Sequence, residues 1–181
     1  MTLFSKGGFG PLFVLQPHAP CEAVRAVTAR LNRAAEDVLE LAYVLEGDVS
    51  RLRIPDARIG GNLWQHTCFE IFISRTGMQS YQELNFSPAG EWAAYAFAAY
   101  RDGGPLVDEL LVTDVQSRQD EKKLELEARV RLDRLGVSAN LSIGLSAVVE
   151  GREGWLSYWA LRHAAGKPDF HHRDTFVVEL A

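Results

Sequence analysis

Cysteine and methionine are scarce in this 181-residue chain, which has two of each. Neither Cys21 nor Cys68 stands in a CxxC, CxxCH or zinc-like spacing. Redox-dithiol and cysteine-zinc signatures are therefore missing, and two reduced thiols in a reducing compartment are expected. No stretch approaches the ~18 apolar residues of a membrane span. The opening Met1-Thr2-Leu3-Phe4-Ser5-Lys6-Gly7-Gly8 lacks an apolar leader core and a small-residue cleavage site. A cytoplasmic protein with no membrane partner is the expectation. Positive charge is also short: 19 Lys and Arg against 24 Asp and Glu, for a net charge of −5. The basic residues are scattered apart from Arg51, Arg53 and the pair Lys122–Lys123, which argues against a nucleic-acid partner. GxSxG, P-loop and GxGxxG signatures are absent, as are repeats and linkers.

What is present is alternation. Hydrophobic residues make up 47% of the chain, an ordinary globular share, and the length suits one domain over residues 1–181. A chain of this size buries roughly 70% of its unfolded surface without staples. Between residues 122 and 132, Leu124, Leu126, Ala128, Val130 and Leu132 alternate with Glu125, Glu127, Arg129 and Arg131. That period of two describes a strand with one face on a core and one in water. Further strands are expected over residues 38–45, 67–74, 81–87, 92–100, 108–115, 141–149, 155–161 and 175–180. Residues 21–32 fit either a helix or a strand, and the context favours a strand. Asp133-Arg134-Leu135-Gly136-Val137 reads as one short helical turn. Many short strands between turns imply an all-β protein: an antiparallel β-sandwich or jelly roll with one short helical turn.

Three stretches, taken in order, resemble a known group. They are Leu63-Trp64-Gln65-His66-Thr67-Cys68-Phe69-Glu70-Ile71-Phe72-Ile73, then Tyr81-Gln82-Glu83-Leu84-Asn85-Phe86-Ser87-Pro88-Ala89-Gly90-Glu91-Trp92, then residues 124–135 running into Gly136. Together they resemble the DOMON-like superfamily and, within it, the family 9 carbohydrate-binding modules. The stretch from Tyr158-Trp159-Ala160-Leu161-Arg162-His163 to Pro168-Asp169-Phe170-His171-His172-Arg173-Asp174 resembles a bacterial DOMON-like subgroup of unknown function. The resemblance implies a sandwich that binds a sugar or a haem on one concave sheet. In the sugar-binding relatives two tryptophans sandwich the ligand and a carboxylate bonds its hydroxyls. Trp64 and Glu70 match one such pair, and Trp159 is the candidate second aromatic. The relatives' structural calcium sites remain an open implication, because no residues here match them one by one. Haem needs axial ligands, and only Met1 and Met78 are available beside the histidines.

Parity sharpens the site. Phe69, Ile71 and Ile73 share one strand face, which belongs in the core, so Cys68, Glu70 and Phe72 face away from it. On the next strand Leu84 and Phe86 point to the core, and Tyr81, Glu83 and Asn85 point away. Glu70 and Asn85 would then share a polar surface, and a carboxylate, an amide and an indole suit a sugar. The structural alternatives are a Trp64 that closes the core edge, a solvated or Arg-paired Glu70, and an Asn85 bonded to its own turn. A second cluster gathers His163, Asp169, His171 and His172, in a loop constrained by Pro168, with His66 upstream. If these converge, they suit proton transfer or a metal; otherwise they tie the loop down.

Three readings stand. The first is non-catalytic binding of a small polar, carbohydrate-like ligand through Trp64, Glu70, Asn85 and Trp159, with the histidine loop as rim. The second is a small enzyme using His66, His163, Asp169, His171 and His172. The third is a structural or partner-binding sandwich. For the cysteines, reductant is expected to leave the melting temperature unchanged. A drop of several degrees under reduction would reveal a disulfide staple.

Overall fold

The computed structural model describes residues 10–137 and 139–181; the leader reading on residues 1–8 lies outside the described residues. The chain is 53% strand and 8% helix, far from the average helical share. The strands are β1 Leu12–Pro17, β2 Val24–Ala35, β3 Val38–Gly47, β4 Cys68–Arg75, β5 Tyr81–Phe86, β6 Trp92–Ala99, β7 Asp102–Pro105, β8 Val112–Gln119, β9 Lys123–Arg131, β10 Leu141–Glu150, β11 Leu156–Ala160 and β12 Val178–Leu180. Strands β1 and β7 were not expected. β1 lies in the N-terminal segment with no strict alternation, and β7 is Asp-Gly-Gly-Pro, a sequence that reads as a turn. Residues 21–32 do contribute a strand. The expected turn appears at Leu132–Leu135, closed by Gly136 in the left-handed region at φ 68°. Three further 3-10 turns join it, at Val49–Arg51, Leu63–Gln65 and Arg173–Thr175. The last of these displaces the start of the strand expected from residue 175.

The pairing is antiparallel throughout and runs β7-β6-β5-β4-β10-β11-β1-β2-β3-β9-β8, with β12 beside β10. β1 makes the fold double back. Its residues 12–15 pair with β2, while Gln16 and Pro17 pair with β11. One layer is therefore β1-β2-β3-β9-β8 and the other β7-β6-β5-β4-β10-β11, as in a sandwich.

The core lies between the layers. Leu41 faces Ala128 and Tyr43 faces Leu126 across β3 and β9; all four are buried. From the other layer come Phe69, Ile71, Ile73, Leu84, Phe86, Ile143, Leu145 and Ala147. Tyr43 joins the layers. Its ring stacks on Phe69 with centroids 4.9 Å apart, and its hydroxyl donates to the Glu70 carbonyl at 2.6 Å. Burial raises the Tyr43 pKa, reinforced by the nearby Glu70, so the hydroxyl stays protonated as the donor.

The outer face of the first layer is polar. Glu40 takes both Arg129, at 2.9 Å, and Asn32, at 3.0 Å. Among the described residues no helix is long and apolar enough to cross a membrane.

Packing outweighs the bridging hydrogen bond. Leu126→Ala is expected to cost about 2–5 kcal/mol, whereas Tyr43→Phe, which keeps the ring, should cost about 1 kcal/mol. Urea midpoints of the two variants check the order; a Tyr43→Phe loss equal to that of Leu126→Ala would overturn it.

Candidate functional site

The outer face of the second layer carries the alternate residues of five strands. Cross-strand register sets Glu70 opposite Asn85 and Ser146, and Phe72 opposite Glu83 and Gly144. Glu83 lies opposite Tyr95, and Val148 opposite Tyr158. The face is covered from two sides. On one side, Gly60, Gly61 and Asn62 take positive φ of 81°, 126° and 50°, which only glycine and asparagine adopt readily. They lead into the Leu63–Gln65 turn. Leu63 is buried against Cys68 and Val148, which leaves Trp64 45% exposed beside the sheet. On the other side, the segment after β11 returns across the face. It lands at Gly144, where a Cβ would come within 3.2 Å of the Thr175 carbonyl.

Between these covers lies a cavity of about 590 Å³, lined by Trp64, Gln65, Glu70, Phe72, Glu83, Tyr95, Phe97, Arg101, Val148, Leu156, Tyr158, Lys167, Pro168, Phe170 and His171. That volume suits a small ligand. Its floor is polar and buried: Glu70 is 2% and Glu83 5% exposed. Glu70 accepts from Ser146 Oγ at 3.0 Å and from Cys68 Sγ at 3.6 Å. Glu83 accepts from Asn85 Nδ2 at 2.8 Å. Asn85 is itself fully buried, and its Oδ1 has no partner. Burial pushes the Glu70 carboxyl up to about 8, and repulsion from Glu83 adds to the shift. Glu83 is raised too, again by burial. The Cys68 thiol is held up by burial and by Glu70, so it remains a donor.

His171 sits in an aromatic box, 5.2 Å from the ring centroids of both Phe72 and Phe97. Its tautomer follows from the bonds around it. Arg101 N–H donates to the Tyr81 hydroxyl at 3.0 Å, so that hydroxyl donates onward to His171 Nδ1 at 2.9 Å. Nε2 then bears the proton and faces Glu83 Oε2 at 3.5 Å. Burial and the Arg101 charge push the imidazole down to about 4. The approach to Glu83 is thus a long contact of a neutral ring, not an ion pair.

Of the residues singled out in the sequence, Trp64, Glu70 and His171 line the cavity. Asn85 lies on the same face beside Glu70 and Glu83, bonded to Glu83 rather than to its own turn. Trp159 does not belong to the site. The register Ala147↔Trp159 turns it inward, where it is 3% exposed and its indole donates to Ser157 Oγ. Its neighbour Tyr158 takes the outward position. The histidines do not converge either. His66 Nδ1 is 2.9 Å from Glu150 Oε2. His163 Nε2 donates to the Gln16 carbonyl. His172 accepts from the Asp174 amide in its own turn. Asp169 is spent on Tyr100 and Arg101. The bonds of His163, His172 and Asp169 tie the loop, and that of His66 ties the segment before β4 to β10. Glu70 is neither solvated nor paired with arginine, and Trp64 is too exposed to serve as a core edge. Glu83, Tyr95, Phe97 and Tyr158 were not singled out as ligand contacts. The parity of β5, β6 and β11 places them on this face, and that parity was the available signal. Among the described residues no group of three His, Cys, Asp or Glu side chains gathers to hold a metal.

No family model and no curated protein matches the sequence. Solved structures do resemble the fold. A carbohydrate-binding candidate from Bacteroides uniformis ATCC 8492 superposes with a TM-score of 0.64 at 17% identity, over 94% of this chain and 84% of that one. A family 9 carbohydrate-binding module from Caldicellulosiruptor kristjanssonii, in complex with cellotriose, gives 0.61 at 12% identity over 93% and 80%. A family 9 module from the same organism, in complex with glucose, gives 0.56 at 11% over 88% and 76%. The chain therefore has the fold of these modules.

The Glu70 shift has a stability consequence. With its folded pKa near 8 and an ordinary value of 4.5, the native state holds more protons than the unfolded one between these limits. The stabilisation is full below the lower value and is lost as pH rises through the upper one. Glu70→Gln should therefore melt progressively higher than the parent as the buffer moves from about pH 5 to about pH 9. A gap that stays flat across that window would show that Glu70 is ionised throughout.

Proposed function

We propose that this protein is a DOMON-like module that binds a small, carbohydrate-like ligand in the cavity on the outer face of β4, β5, β6, β10 and β11. The observation that carries the reading is the cavity's composition: two buried carboxyls, Glu70 and Glu83, beneath aromatic walls that include Trp64, Tyr95 and Tyr158. Carboxyl oxygens accept hydrogen bonds from hydroxyls, and flat rings cover the C–H faces of a sugar. The order of the motifs around Trp64–Glu70 and Tyr81–Gly90, and the fold shared with modules in complex with cellotriose and glucose, support the same ligand class.

We read the role as binding: His163, His172 and Asp169 are engaged in ties of the loop, and His66 bonds Glu150. A reducing, cytoplasmic setting fits Cys68, whose protonated thiol is used as a donor to Glu70.

Calorimetry with glucose and cellotriose tests the site. Trp64→Ala is expected to weaken binding by about 2 kcal/mol, as for a stacking aromatic at a hot spot, and to leave the melting temperature within a few degrees. Unchanged affinity in Trp64→Ala would remove the cavity as the sugar site.

A further inference from the structure

Neither carboxyl on the cavity floor touches a cation. The partners of Glu70 are a hydroxyl and a thiol. Those of Glu83 are an amide and a neutral imidazole, whose Nδ1 is occupied by the Tyr81 proton. Two cationic side chains line the same cavity. Arg101 binds Asp169 at 3.0 Å and acts on Glu83 only through its field. Lys167 is an exposed residue of the covering loop. Among the described residues, no salt bridge joins either one to Glu70 or Glu83. Buried carboxyls without a counter-charge are costly, and proteins seldom keep two as neighbours without use. A second observation points the same way. Asn85, opposite Glu70 and two residues from Glu83 on the same strand face, is fully buried, and its Oδ1 is an acceptor with no partner. The floor is thus rich in acceptors and short of positive charge, under aromatic walls whose π faces also favour cations.

We infer that the ligand is cationic: the cavity takes an amino sugar, with its ammonium on the Glu70–Glu83 floor and its ring against Trp64 and the tyrosines. The inference rests on the sugar reading of the cavity and adds the charge of the ligand. An ammonium supplies three donors and the missing charge at once, whereas a neutral hydroxyl supplies one donor and no charge. Lys167, on the loop, is left free to meet the hydroxyl end.

The test is titration calorimetry at about pH 6, where an amine is protonated, with glucosamine, glucose, N-acetylglucosamine and cyclohexylamine. Glucosamine is expected to bind at least about tenfold more tightly than glucose or N-acetylglucosamine, the worth of one charge-assisted contact. That ratio should collapse towards unity in Glu83→Gln, with folding checked by thermal melts. The comparison on the parent protein decides the matter even if a variant fails to fold. Glucose binding as tightly as glucosamine overturns the inference and leaves the sugar site standing. Cyclohexylamine binding while every sugar fails overturns the sugar reading and leaves the cationic ligand. Silence from both amines overturns the inference, whatever the neutral sugars do.

Discussion

Glu70 is where the core and the site meet. Its backbone carbonyl takes the Tyr43 hydroxyl from the opposing layer, and its side chain forms the floor of the cavity on the other face. The two-residue alternation of β4 makes this possible, with Phe69 and Ile71 packed inward on either side of it. A shift of one residue in register would bury the carboxylate in the core and expose three large apolar side chains. The hydrophobic demand of the core therefore fixes the direction of the Glu70 carboxyl. Ser146 and Cys68, brought alongside by the β10 register and by the same strand face, then hold it in place.

The cover over that floor is built by different means. The segment following β11 has little apolar periodicity, and it is held by single polar ties at each end. His163 reaches the Gln16 carbonyl and His18 the Gly166 carbonyl, while Asp169 clasps Tyr100 and Arg101. Between these anchors, Phe170 and His171 pack onto an aromatic layer of Phe72, Tyr81 and Phe97. The loop thus gains its position from the sheet it covers. Gly144 supplies the clearance that lets it land.

Much of this was legible in the sequence. The long alternating strand β9, the inward set on β4 and the outward direction of Glu70 all follow from a period of two. Fold class followed from the number of such segments. Trp159 shows where the rule failed. Its strand was expected, but its parity was never tied to a partner strand, and the pairing with Ala147 turned it into the core. Strand β7 was hidden because glycine and proline carry no alternation. The histidines misled for another reason. Closeness in sequence gives several imidazoles to one loop, but each ring then serves whichever carbonyl or carboxylate lies nearest, and no shared point follows. Burial of Glu70 was also invisible, since parity places it on the outer face and gives no sign that segments distant in sequence line the same cavity.

Protonation links these features to one another. A carboxyl pushed up to about 8 by burial holds its proton near neutrality, so Glu70 can donate as well as accept. Glu83 shares the raised tendency but is relieved by Asn85 and by the Arg101 field. The two carboxyls interact, so their titration belongs to the pair rather than to either residue. Such a pair resembles the split carboxyls of acid–base enzymes. His171, with Nδ1 facing the Tyr81 hydroxyl and an imidazole pushed down to about 4, is a poor base near neutrality. The floor thus sets two raised carboxyls and a neutral imidazole side by side beneath the aromatic walls.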